Sequence, residues 1–156
     1  MEDYNQSKEE SRKYLKLADH ILYNTYPLLS DPKLLLKAMD NIFLSITNTI
    51  SALLFYEKFN NRITEFDNTF ETKIDLFRKK CLLHHNFDPN YIKLILDVKE
   101  IIVQHRKSPV EFVKKNKFVI CSNDYKMKTI TDNDVKNYLK KAKAFYGRID
   151  NILLKG

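Results

Sequence analysis

Four histidines, two cysteines and a dispersed set of arginines and lysines are the groups in this sequence whose types and spacing could do chemistry. An imidazole can take and give protons near neutral pH, so His20, His84, His85 and His105 are the first candidates for acid–base work. His84 and His105 also extend apolar stripes at the C-terminal ends of predicted helices. There an imidazolium is favoured by the helix dipole, and an imidazole can bond the last free carbonyls, which is the structural reading of both. His20 follows Asp19 and reads as a surface residue. Cys81, His84, His85 and Cys121 could gather around zinc. Their spacing is not that of a zinc finger or ribbon and no second close pair exists, so neither a metal nor a cofactor is expected. Asp67, Glu71 and Asp75 recur every four residues, as a solvated helix face does, rather than as a two-metal site.

Positive charge is the stronger signal. The 156 residues hold 27 Lys+Arg against 20 Asp+Glu, a net charge of +7. The basic groups concentrate after about residue 78: Arg78, Lys79 and Lys80, then Arg106 and Lys107, Lys114 and Lys115, Lys126 and Lys128, and the lysines of the last helix. If the late elements lie together, Arg106, Lys107, Lys114, Lys115, Lys126 and Lys128 converge on one surface. Tyr125 and Tyr138 are then available to stack on bases. Such a surface binds phosphate backbones by releasing counterions. The competing reading is a lysine-rich exterior that keeps a small protein in solution, since +7 is ordinary at this size.

Glycine restricts the function classes further. Only Gly147 and Gly156 are present, both at the end of the chain. A Walker A loop, a dinucleotide-binding GxGxxG turn and a GxSxG nucleophile elbow each need glycine where backbone approaches a ligand, so all three are excluded. Fourteen asparagines are the substitutes for left-handed turns. Two cysteines and no basic-then-apolar leader point to a cytoplasmic, reduced protein. The longest uncharged run, Asn41 to Tyr56, is too short and too polar for a membrane span and reads as a helix inside a bundle.

The elements that must position these groups follow from apolar periodicity and from start signals. A first helix begins near Ser7, with Glu10 completing a capping box, and runs to about Leu29. Asp31-Pro32 starts a second helix to about Lys58, whose main stripe is Leu35, Met39, Ile42, Phe43, Ile46, Ile50, Leu53 and Leu54. A thinner stripe, Leu44, Asn48, Ser51 and Phe55, asks for a second neighbour, which is the reason to expect a homodimer. The third helix spans about Asn68 to His84, and Asp88-Pro89 starts a fourth that reaches His105. Ser108-Pro109 opens a short helical turn to about Lys115. Two β-rich runs over about 117–130 form a hairpin, and Thr131 with Asp134 caps the last helix. The predicted fold is mainly α: one domain over residues 1–156, a five-helix up-and-down bundle with a β-hairpin inserted before the last helix.

A basic helical chain of this size, with the long Asn41-to-Tyr56 helix and a histidine near the end of a late helix, resembles the HEPN domains of prokaryotic defence and toxin–antitoxin systems. Locally, His105-Arg106-Lys107-Ser108-Pro109-Val110-Glu111-Phe112 followed by Phe118-Val119-Ile120-Cys121 is similar to a group of small archaeal proteins of that kind. The resemblance implies a homodimer that takes RNA, a nucleotide, or a protein partner of the nucleotidyltransferase or another type. Active members cleave RNA without metal, using an arginine and a histidine with four to six residues between them. Here only Lys99 stands at the matching distance before His105, and it lacks the planar fork of arginine. Arg78 and His84 have five residues between them but sit on the third helix. The reading is therefore an HEPN-like dimer that binds RNA, a nucleotide or a partner protein without catalysis. Its alternatives are a metal-independent ribonuclease using His105, Lys99, Arg78 or His84, and a protein-interaction adaptor with no nucleic-acid role.

Overall fold

The computed structural model describes residues 4–107, 110–114, 117–121 and 127–155, with side chains for 4–104 and 130–155. Five helical rods account for most of them. The first comprises α1 (Tyr4–His20), a π-helical turn (Ile21–Thr25) and α2 (Tyr26–Leu29). The others are α3 (Lys33–Phe59), α4 (Phe70–Leu76) extended by a second π-helical turn (Phe77–Cys81), α5 (Asn90–Lys107) and α6 (Asp132–Lys155).

The starts of these rods are chemically explicit. Asp31 Oδ1 accepts from the Lys33 amide at 3.0 Å and Asp88 Oδ1 from the Asn90 amide at 2.9 Å, on either side of the prolines that open α3 and α5. Thr131 Oγ1 accepts from the Asp134 amide at 3.1 Å while Asp134 Oδ2 accepts from the Thr131 amide at 3.0 Å, a reciprocal capping box for α6. The expected cap at Ser7 is corrected: α1 already begins at Tyr4, and Ser7 is buried within it.

With so little glycine, the left-handed residues that end the rods are Ser30, Asn61 and Asn86. After α3, the Arg62 amide bonds Glu57 O and the Asn61 amide bonds Lys58 O. After the second π turn, the Phe87 amide bonds Leu82 O and the Asn86 amide bonds Leu83 O. Both are Schellman closures with asparagine in place of glycine.

α3 is the central rod and packs against α1, α4, α5 and α6. Its seam with α1 is made of small residues. Ser11 Oγ donates to Ser45 O at 2.9 Å and lies 2.9 Å from Ser45 Oγ and 2.6 Å from Thr49 Oγ1, all buried, so the polar atoms satisfy one another. On the opposite side Phe77, Phe87, Tyr91 and Phe145 interlock, with ring centroids 5.7 Å apart edge-to-face for Phe77 and Phe145 and 4.9 Å for Tyr91 and Phe145. This aromatic knot clamps the 77–91 segment onto α6. The thinner stripe of α3 is largely covered by the chain itself: Ser51 is buried and Phe55 packs on Phe66 at 5.5 Å, leaving Leu44 40% exposed. By length and mean hydropathy α3 could cross a membrane, but 67% of that window is buried inside the bundle.

The segment before α6 is a three-stranded antiparallel sheet in the order β1-β2-β3, made of Val110–Lys114, Lys117–Cys121 and Met127–Thr131. Its registers pair Phe112 with Val119 and Val119 with Thr129. This corrects two expectations. The stretch after Ser108-Pro109 is strand β1 and not a helical turn, as its β-branched and aromatic Val110, Phe112 and Val113 permit. The insertion is accordingly a sheet of three strands rather than a two-stranded hairpin. Ile130 of β3 is buried in the helical core.

Candidate functional sites

The densest convergence of ionisable groups lies where the two asparagine-ended rods meet. Glu57, one turn from the end of α3, is 1% exposed. Its Oε2 accepts from Arg62 Nε, its Oε1 from Arg62 Nη2 at 3.3 Å, and Oε1 is also bonded to His85 Nε2. The Schellman turn at Asn61 folds Arg62 back over α3, and the turn at Asn86 presents His85 to the same carboxylate. Arg148 of α6 donates from Nη2 to the His85 carbonyl at 2.7 Å and stacks its guanidinium 5.2 Å from the Phe87 ring centre, pinning the turn. His84 stands edge-on to His85, with ring centroids 4.6 Å apart, and is itself exposed.

Burial pushes the Glu57 carboxyl up, but hydrogen bonds and charge from Arg62 and His85 together outweigh it and hold the group below the usual carboxylate range. The Arg62 guanidinium is raised in turn by its bond to Glu57. Cys81, fully buried beside this cluster, has its thiol pushed up to about 12, first by burial and then by the charge of Glu57. It is a core thiol and not a nucleophile.

The residues singled out by sequence separate in space. Arg78 is exposed on the second π turn, and no hydrogen bond, ion pair or ring contact among the described residues joins it to His84. Lys99 is held on α5 by Glu71 Oε1 at 3.0 Å and lies 4.0 Å from the Phe70 ring centre. Its ammonium holds the Glu71 carboxyl below the usual range. Tyr138 faces a cavity of about 420 Å3 between α5 and α6, with Tyr91, Lys93 and Asp97. His105, Arg106 and Lys107 end α5, and Lys114 and Lys128 stand on β1 and β3; their side chains, and Lys115 and Lys126 altogether, lie outside the described residues.

A second site was missed in sequence because it joins the two ends of the chain. Three shallow depressions adjoin one another beside α1 and α6: the one between the two helices shares Arg12 and Lys16 with a depression on α1 and Lys143 with one on α6. Arg12, Lys13, Lys16, Lys136, Lys140 and Lys143 line them together with Glu9 and Asp19, and Asp132 pairs with Lys136 at 3.7 Å. Tyr23, 52% exposed, lies in the same groove with Lys136 Nζ 5.0 Å from its ring centre. Lys143 Nζ meets Asp19 Oδ1 at 2.6 Å across the seam. The signal available beforehand was the four-residue spacing of Arg12 with Lys16 and of Lys136 with Lys140, which places each pair on one helix face. The opposite charge is gathered elsewhere: Glu65, Asp67, Glu71 and Asp75 line one open depression beside α4.

No family model, no curated protein and no solved structure matches this chain.

Proposed function

We propose that this chain is an HEPN-like helical bundle that binds the phosphate backbone of RNA without cleaving it. The observation that carries the reading is the groove between α1 and α6, where six cations and an exposed tyrosine stand against three carboxylates, Glu9, Asp19 and Asp132. From Arg12 to Asn24 the α1 side alone extends roughly 18 Å at the helical rise, enough for several successive phosphates. Tyr23 offers a stacking platform that any base fits, and the side-chain amides of Asn24 and Asn137 offer hydrogen bonds to sugar or base edges. A binding role suits Lys99, whose ammonium is already engaged by Glu71 and Phe70. A homodimer and a cytoplasmic setting belong to the same reading.

The test is fluorescence anisotropy with a short unstructured RNA across a salt series. Binding should weaken linearly in log–log form, with a slope no steeper than about −4 if all six cations meet phosphates. The double charge reversal Lys16→Glu with Lys140→Glu should weaken it at low salt by about tenfold or more. Undetectable binding at low salt leaves an adaptor role, and binding indifferent to that variant removes the groove and puts the RNA on another surface. RNA incubated with the protein in EDTA should stay intact. Cleavage lost in His84→Ala or His105→Ala would replace binding with a metal-independent ribonuclease.

A further inference from the structure

The cluster at the end of α3 has a composition that RNA binding does not use. Glu57, His84 and His85 each offer one ligand atom, and these atoms lie within 4.8 Å of one another. Two imidazoles and a carboxylate are a donor set suited to a borderline transition-metal dication, and unsuited to magnesium or calcium, which take oxygen. We propose that Glu57, His84 and His85 bind one zinc-class dication, with Arg62 released from Glu57 as it enters.

Each part of the exchange has a structural counterpart. The Glu57 carboxylate is buried and must be neutralised by some cation, a role now filled by Arg62. The Arg62 side chain is 36% exposed, on a loop, and can swing into water when a dication takes over its charge. Arg148 bonds the backbone carbonyl of His85 and so holds the turn, and the bond between His85 and Glu57 already brings that imidazole and the carboxylate together before metal arrives. His84 is exposed beside it, leaving the remaining coordination positions to water. Binding breaks three hydrogen bonds to the carboxylate, two from Arg62 and one from His85, and forms one metal–oxygen and two metal–nitrogen bonds. The proton shared between His85 Nε2 and Glu57 leaves the ligating nitrogen for the other ring nitrogen or for water, so both imidazoles are neutral. The sequence offers Cys81 and Cys121 beside the two histidines, at a spacing from which no metal is expected. In the structure Cys81 is walled into the core as a thiol, and a carboxylate 24 residues earlier in the chain takes its place in the set.

Cobalt(II), a spectroscopic stand-in for zinc, provides the experiment, with zinc competition as the second readout on the full chain. One equivalent should bind, with visible absorption bands of a nitrogen–oxygen site that zinc abolishes. His84→Ala, a change at an exposed position that leaves the fold intact by circular dichroism, should weaken binding by about 100-fold. Arg62→Gln should strengthen it several-fold, because the competing cation is gone. That opposite sign separates a metal site from a merely structural ion cluster, in which both changes only destabilise. Absence of a one-equivalent complex in both the native chain and Arg62→Gln would overturn the proposal. So would binding unchanged by His84→Ala, which would place the metal elsewhere in the chain.

Discussion

Glu57 and His85, 28 residues apart in sequence, share a hydrogen bond between a buried carboxylate oxygen and Nε2 of the imidazole. The bond ties the end of the central helix to the turn that follows the second π-helical segment. Removing the carboxylate leaves His85 and Arg62 without their partner in a partly buried site. Glu57→Ala should therefore destabilise the fold by about 3 kcal/mol, and Arg62→Ala, whose side chain is partly in water, by about 1 kcal/mol. Urea midpoints measure both, and a Glu57→Ala cost no larger than that of Arg62→Ala would contradict the central place given to this carboxylate.

At the α1–α3 seam, three hydroxyls occupy a space that admits no larger side chain. Ser45→Leu forces the rods apart and should cost about 2–3 kcal/mol, whereas Ser45→Ala stays within about 1 kcal/mol because Ser11 keeps Thr49 and the Ser45 carbonyl. Equal midpoints for the two variants would mean that the rods are not in close contact there.

Tyr23 and the lysines of the groove should be separable in RNA binding. Tyr23→Ala loses about 1–3 kcal/mol of stacking and leaves the salt slope as it was, while Lys140→Ala makes the slope shallower by about 0.7. A change of slope in Tyr23→Ala would argue against stacking.

Cys81 should resist alkylation at mildly alkaline pH in the folded protein and react rapidly once unfolded, because burial both hides the thiol and raises it to about 12. A Cys121→Ser background isolates it. Native labelling as fast as that of a free thiol would show that the region around Phe77 and Cys81 opens readily.

The alkaline limb of stability has a definite sign. Tyr26, Tyr138 and Tyr146 are raised above the ordinary 10.0, each first by burial, and Lys8 is raised above 10.5 by its hydrogen bond to Asp150. All four hold their protons more tightly folded than unfolded. Their contribution is complete below about pH 10 and is lost as pH rises through the folded values. With the Cys81 thiol also raised, from 9.0 to about 12, denaturant midpoints should begin to fall near pH 9 and fall further beyond pH 10, and ultraviolet titration should show Tyr26, Tyr138 and Tyr146 ionising late. A midpoint that rises above pH 10 would contradict this.

Signals confined to a few neighbouring residues were readable in advance. Asp31-Pro32, Asp88-Pro89 and the Thr131/Asp134 pair start rods because each satisfies its own first amides, whatever the rest of the chain does. Asparagine, named as the substitute for glycine, closes two of the rods at Asn61 and Asn86. Ser7 misled because a serine followed three residues later by glutamate looks the same when it is packed against another helix. The Glu57 cluster was hidden because its members are brought together by two turns. A trace of it was present, since Glu57 stands seven residues after Ile50 and continues the buried stripe where an apolar residue belongs. The α1–α6 groove was hidden by the distance between its halves, which only the closed bundle brings side by side.

The gathering of lysines along one seam and of carboxylates beside α4 makes the molecule electrically lopsided. Two copies, each with a net charge of +7, repel at long range, while the basic side of one and the acidic side of another are matched at short range. Added electrolyte shortens the reach of both forces. Ionic strength therefore sets the balance between them in a concentrated solution.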